Sequence, residues 1–246
     1  MNIDQGKTEY KTQDVNYGVI YVLFRIKVIV FGFIQYILLS PKRSFFMNGA
    51  RYYYFYHRYN MTWENERCVE IPLIQKEMID VKDMDVLEVG NVLSHYFDVG
   101  HEIVDKYEIA KNVINKDVVE LDPERKYRLI ISISTLEHVG WDEYPRSVGK
   151  IVMAIAKLRS MLSDDGKLIL TLPLGYNLYL DELIYRSELD FDRIYFMKRI
   201  NGNHWIEVTK EGMCGIKYGY PFRGANGLVM GVLESTKSQV TKSCRL

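Results

Sequence analysis

Three carboxylates in this chain stand where short apolar runs end. Glu88 and Gly90 close Asp85–Gly90 (DVLEVG), Asp105 closes His101–Asp105 (HEIVD), and Asp117 sits in or just after Val113–Val119. Asp105 follows Glu88 by 17 positions. At that spacing a carboxylate can accept hydrogen bonds from both hydroxyls of a ribose, while a glycine lets the backbone approach a ligand that side chains would exclude. Asp117 can accept from an adenine amino group. Singly, each has a structural use as well: Glu88 as a helix cap, Asp117 as a turn residue.

The elements that must position these groups are legible as alternating periods. Asp85–Gly90 and His101–Asp105 read as buried strands, Val113–Val119 as a short third and Arg128–Ile133 (RLIISI) as a fourth. Asn65–Ile79 reads as a helix kinked or begun at Pro72. Tyr144–Leu162 carries Val148, Ile151, Val152, Ile155, Leu158 and Leu162 at helical spacing and stops at Asp164, Asp165 and Gly166. Lys167–Leu172 (KLILTL) is a fifth strand, and Arg193–Arg199 and Gly227–Leu233 are two later ones. Strands alternating with helices predict a doubly wound, mostly parallel α/β sheet whose ligand lies beyond the carboxyl ends of its strands. A dinucleotide dehydrogenase is disfavoured, because it needs GxGxxG to seat a pyrophosphate and the chain has GNVLSH.

The succession VLEVGN, IVDKYE, NKDVVEL, YRLIISISTLEHVGWDE and GKLILTLPLG, over Asp85 to Gly175, resembles motifs one to five of the class I S-adenosylmethionine-dependent methyltransferases. The resemblance implies a Rossmann-like sheet of seven strands with an antiparallel C-terminal hairpin, and S-adenosyl-L-methionine as cofactor. It places Glu88, Gly90 and Asn91 near the cofactor's amino-acid part, Asp105 and the adjoining Lys106 at the ribose, Asp117 and Val118 at the adenine, and Ser134 and Leu136 on the methionine side. Where the family carries two or three glycines, this chain has GNVLSHY with Gly90 alone. His138 falls where an acceptor would enter and suits a general base, with Glu137 and Asp142 as alternatives and helix capping as its structural use. The block HRYNMTWENER, with Tyr59, Asn60, Thr62, Trp63 and Glu66, followed by LEVGNVLSHY and TLPLGYN, is similar to methyltransferases associated with glycan assembly. That implies O-methylation of a small molecule or glycan. A non-catalytic cofactor-binding protein and a membrane-tethered scaffold retaining the fold are the readings from other classes.

Composition narrows the partners. Lys plus Arg and Asp plus Glu number 32 each, so no net positive field gathers nucleic acid. The three cysteines, Cys68, Cys214 and Cys244, form no CxxC pair, which predicts a reduced, cytosolic protein without a metal site. Residues 19–39 are apolar near the length of a membrane span but interrupted by Arg25 and Lys27. Tyr17, Tyr21, Phe24, Val28 and Phe31 share one face if the segment is helical. That face would pack on the core, on a second subunit or in a membrane interface, the last making the protein peripheral. Residues 1–64 are read as this N-terminal extension with an aromatic lid segment, and 65–246 as the cofactor-binding domain ending in a polar tail from about Ser235.

Overall fold

The apolar runs that end near Gly90, Asp105 and Ser134 lie side by side in one sheet. A computed structural model describes residues 43–121 and 126–235 and, in the N-terminal segment, Val22, Ile26, Val30 and Ile34, which are helical and about half exposed. The expected stripe from Tyr17 to Phe31 and the tail beyond Ser235 lie outside the described residues. Among the described residues no helix is long and apolar enough to cross a membrane.

A hairpin of β1 (Ser44–Met47) and β2 (Ala50–Tyr53) leads to helix α1 (Arg67–Met78). The main strands are β3 (Val86–Val89), β4 (Glu102–Val104), β5 (Val113–Ile114), β6 (Tyr127–Ile133), β7 (Leu162–Pro173), β8 (Arg193–Asn201), β9 (His204–Val208) and β10 (Gly227–Glu234). Helix α2 (Lys150–Ser160) precedes β7, and α3 (Leu178–Tyr185) follows it. The sheet order is β5-β4-β3-β6-β7-β10-β8-β9, parallel from β5 to β7 and antiparallel from there on. Val89 pairs with Val104 and with Ser132, which brings the three strand ends level. The chain runs outward from β3 to β5 and then returns to β6 on the other side of β3, so the order reverses between β3 and β6.

Alternation along the strands feeds two cores. Leu87, Val89, Ile130, Leu168 and Leu170 face α2 and α3, where Ile151, Ile155, Leu158 and Leu183 meet them. Val86, Leu129, Ile131 and Ile169 face α1 and the aromatic hairpin, against Ile71, Ile74, Phe45 and Tyr54. Period-two burial on both faces is what a sheet covered on two sides requires. Pro72 sits inside α1 without breaking it. It cannot donate to the Cys68 carbonyl one turn back, and the Phe55 N–H takes that acceptor at 2.9 Å.

The α/β class and the antiparallel pairing of the two expected late strands are as the sequence implies, and β9 adds an eighth strand. Asn201 and Gly202 (φ 50°) turn β8 into β9, a hairpin signal followed by only the short run HWIEV. Other boundaries moved for local reasons. Residues 141–149 form turns, with Ser147 N–H donating to Gly140 O at 2.8 Å, so α2 begins at Lys150 rather than Tyr144. Asp164 to Gly166 do not end that helix; they lie within β7, opposite a register shift in β6. The third strand stops at Ile114, and the next side chain, Asn115, donates to the carbonyls of Asp105 and Glu108 at 3.0 and 2.7 Å.

Candidate functional site

A cavity of about 450 Å³ opens beyond the carboxyl ends of β3, β4 and β6, at the point where strand order reverses. Val89, Val104, Val118 and Val139 give it an apolar floor, and Asp105, Lys106, Asp117 and His138 line it with charge. Gly90 forms its inner edge at φ 90°, a left-handed conformation, and any Cβ there would collide with the Thr135 side chain. Two constraints therefore select glycine at this one position.

Glu88 does not line the cavity. Its carboxylate is fully buried, with Oε1 accepting from the N–H groups of Val92 and Leu93 at 3.0 and 2.8 Å and Oε2 paired with buried His101 at 2.7 Å. It shapes the turn after β3 from beneath. Asn91 completes that turn: its N–H donates to Asp105 Oδ2 at 3.1 Å and its side-chain amide to Glu108 Oε1 at 2.6 Å. Asp105 Oδ1 accepts from the N–H groups of Tyr107 and Glu108, both at 2.8 Å. A carboxylate offers roughly four lone-pair sites, so these three bonds orient Asp105, which lines the cavity, and leave it acceptor capacity.

The far end of the cavity carries a ring of four charges. Asp117 Oδ2 lies 2.9 Å from Lys106 Nζ and 2.5 Å from Lys150 Nζ, and Glu143 lies 3.0 and 2.6 Å from the same two ammonium groups. Burial pulls the Asp117 carboxyl upward, but the hydrogen bonds from Lys150 and Lys106 outweigh it and hold the group below the usual carboxylate range. Glu143 is held down in the same way. Lys106 is raised above the ordinary ammonium range by its hydrogen bond to Asp117, against an opposing desolvation. A ligand reaching Asp117 Oδ2 must displace a lysine.

At the opposite end His138 Nδ1 pairs with Asp142 Oδ2 at 2.5 Å, and the Tyr176 hydroxyl donates to that same oxygen at 2.6 Å. Burial raises Asp142, while Tyr176 and His138 more than compensate and hold it anionic. Tyr176 also meets the imidazole edge-on, with ring centroids 4.8 Å apart. Ser134 and Leu136 do not reach the cavity. The Ser134 hydroxyl donates to buried Glu70, and Leu136 is part of the core. Behind them Glu137 is buried, and desolvation pushes its carboxyl well above the ordinary range. The structure thus brings Gly90, Asp105, Lys106, Asp117, Val118 and His138 to one cavity, sets Glu88 and Asn91 beneath it, and joins Asp142 to His138. Thr135, Glu143, Lys150 and Tyr176 were not anticipated from the sequence. Tyr176 stands within the TLPLGYN run and Thr135 within STLEHV, so their proximity to a strand end was the available signal.

No protein-family model matches the sequence, and no curated protein sequence matches it. Among solved structures the chain is similar to the N-methyltransferase NodS from Bradyrhizobium japonicum WM9 in complex with S-adenosyl-L-homocysteine (9% identity, TM-score 0.44, covering 70% of this chain and 87% of that one). It is also similar to a SAM-dependent methyltransferase from Archaeoglobus fulgidus (13%, 0.42, 68% and 93%) and to an rRNA methylase from Streptococcus thermophilus (10%, 0.40, 68% and 97%). At these identities the likeness is one of fold, and the functional reading rests on the site's own geometry.

Proposed function

We propose that this chain is a methyltransferase that moves a methyl group from S-adenosyl-L-methionine to a hydroxyl of a small molecule or glycan. The observation that carries the reading is the strand-end cavity itself: Gly90 closed against Thr135 at the reversal of strand order, with the oriented carboxylate of Asp105 one strand away. In this reading Asp105 would hold the ribose hydroxyls through its carboxylate, Gly90 would give backbone to the amino-acid part, and Asp117 with Val118 would meet the adenine after Lys106 or Lys150 yields. When bound, the cofactor supplies an electrophilic methyl group on a positively charged sulfur.

The chain's own contribution is positioning and a place for the proton. With Asp142 accepting the Nδ1 hydrogen of His138, Nε2 is the ring nitrogen left to take a proton. Taking a proton from an acceptor hydroxyl at Nε2 forms an imidazolium whose charge Asp142 balances, and Tyr176 keeps Asp142 in place through its hydroxyl.

Transfer of a labelled methyl group onto hydroxylated acceptors tests this. His138→Ala should cut turnover by about 10²-fold or more while affinity for S-adenosyl-L-homocysteine stays within twofold. Unchanged turnover in that variant would remove His138 from the mechanism.

A further inference from the structure

A second cavity, of about 390 Å³, has walls from two segments far apart in the chain: Asn60 to Glu66 on one side and Tyr218 to Gly224 on the other. Buried Arg199 joins those walls. Its Nη2 donates to Glu64 O and its Nη1 to Arg223 O, both at 2.9 Å, while Nε bonds Gly202 O and the guanidinium lies over the Phe222 ring at 4.8 Å. All three nitrogens are used on main-chain carbonyls, so this residue is scaffold for both walls. Asn60 and Met61 hold consecutive left-handed conformations (φ 54° and 42°), with Asn65 donating to Asn60 O at 2.8 Å. Neither residue is glycine, and such a conformation persists only where its surroundings fix it. At the floor Glu66 Oε2 accepts from Ala225 N–H at 3.0 Å, and Gly224 (φ 79°) comes so close that a Cβ would stand 2.8 Å from that oxygen.

Two ring contacts lead to the first cavity from the second. Tyr218 on its wall meets Tyr176 edge-on at 5.0 Å, and Tyr176 meets His138, which lines the first cavity. Amide, carboxyl, phenol and guanidinium side chains stand in the lining, with Met61 the one aliphatic side chain. Hydrogen-bond donors and acceptors at this density suit a hydroxylated ligand rather than an acyl chain. A third cavity, of about 490 Å³, is the apolar contrast, with Leu174, Tyr185, Cys214 and Ile216 on its walls.

We propose that the second cavity is the acceptor site and that it takes a neutral, polyhydroxylated molecule of sugar size, its reacting hydroxyl turned toward His138 past Tyr176 and Tyr218. This rests on the methyl-transfer reading for its catalytic meaning but not for the ligand's chemistry. Arg223 is exposed and Tyr218, with its hydroxyl, stands among the lining residues, so both can be changed with the scaffold residues intact.

Saturation-transfer NMR on the full chain loaded with S-adenosyl-L-homocysteine, using glucose, mannose, rhamnose, N-acetylglucosamine and octanoate as probes, tests the assignment. At least one sugar should bind, Arg223→Ala and Tyr218→Phe should each weaken it fivefold or more, and Lys210→Ala in the third cavity should leave it unchanged. Binding of octanoate alone, sugar binding that survives both wall variants, or loss in the Lys210 variant would each overturn the assignment. Calorimetry on the same samples separates the two readings. Normal S-adenosyl-L-homocysteine binding with no bound sugar defeats this inference only, whereas absence of S-adenosyl-L-homocysteine binding defeats methyl transfer and the acceptor role with it.

Discussion

The first and second cavities are built by opposite means. The first is made from strand ends that follow one another in the sequence, and its working groups sit where apolar runs stop: Gly90 after β3, Asp105 after β4, Thr135 just past β6. The second is made from segments about 150 residues apart, held in register by the bonds of Arg199 to Glu64 O, 135 positions away, and to Arg223 O. A strand-end site inherits its geometry from the sheet, which is rigid and two-sided. A loop-walled site depends on a few buried polar groups, so its stability and its shape stand or fall together.

That contrast can be broken most severely at Arg199. Replacing buried Arg199 with Met leaves carbonyls on both walls without their donor, and the expected loss is about 3–5 kcal/mol of stability in urea unfolding. Affinity of the folded variant for S-adenosyl-L-homocysteine should nonetheless stay within twofold, because the first cavity does not use these bonds. Loss of cofactor affinity in step with stability would mean that the two sites are one unit. Glu88→Ala comes next. It leaves the N–H groups of Val92 and Leu93 and the His101 ring without their partner, at a cost of about 3 kcal/mol, and here cofactor affinity should fall as well because the turn loses its support. Gly90→Ala should cost about 1–3 kcal/mol through its left-handed backbone and the collision with Thr135, with at least a tenfold drop in S-adenosyl-L-homocysteine affinity by calorimetry.

The smallest effect is a pH dependence outside both sites. Asp181, which accepts from Gly175 N–H at 2.8 Å, is pushed by burial up to about 6 from its ordinary 3.8. The folded state therefore binds this proton more tightly than the unfolded one. Its contribution to stability is fully present below about pH 3.8 and is lost as pH rises through about 6. Asp181→Asn should raise stability by about 1–2 kcal/mol at pH 8 and by little at pH 4. Melting curves at the two pH values check it, and a gain that is equal at both would show that the carboxyl is not the cause.

Much of the first cavity was legible in the sequence because its residues lie next to the strand signals that place them. Asp105 and Gly90 needed only the order and ends of two apolar runs. Glu88 shows the limit of that reading: a side chain on β3 can point into the core or into the crevice, and this one points to His101. The ion partners of Asp117 were illegible for a different reason. Lys150 is 33 positions on and arrives at the start of a helix whose first turn could not be placed, since Tyr144 to Gly149 carry mixed signals that resolve only through the Gly140 to Ser147 turn. Trp205 and Arg199, both buried toward the antiparallel edge of the sheet, became interpretable only once the N-terminal hairpin and the late loop were in place.

The central claim is that the cavity at Gly90 and Asp105 holds S-adenosyl-L-methionine. Isothermal titration of the full chain with S-adenosyl-L-homocysteine addresses it directly, with Asp105→Ala alongside. Micromolar binding to the natural sequence is expected, weakened by about 10-fold to 100-fold in the variant through loss of hydrogen bonds to a charged acceptor. No heat of binding to the natural sequence, or equal affinity in the two proteins, would contradict it.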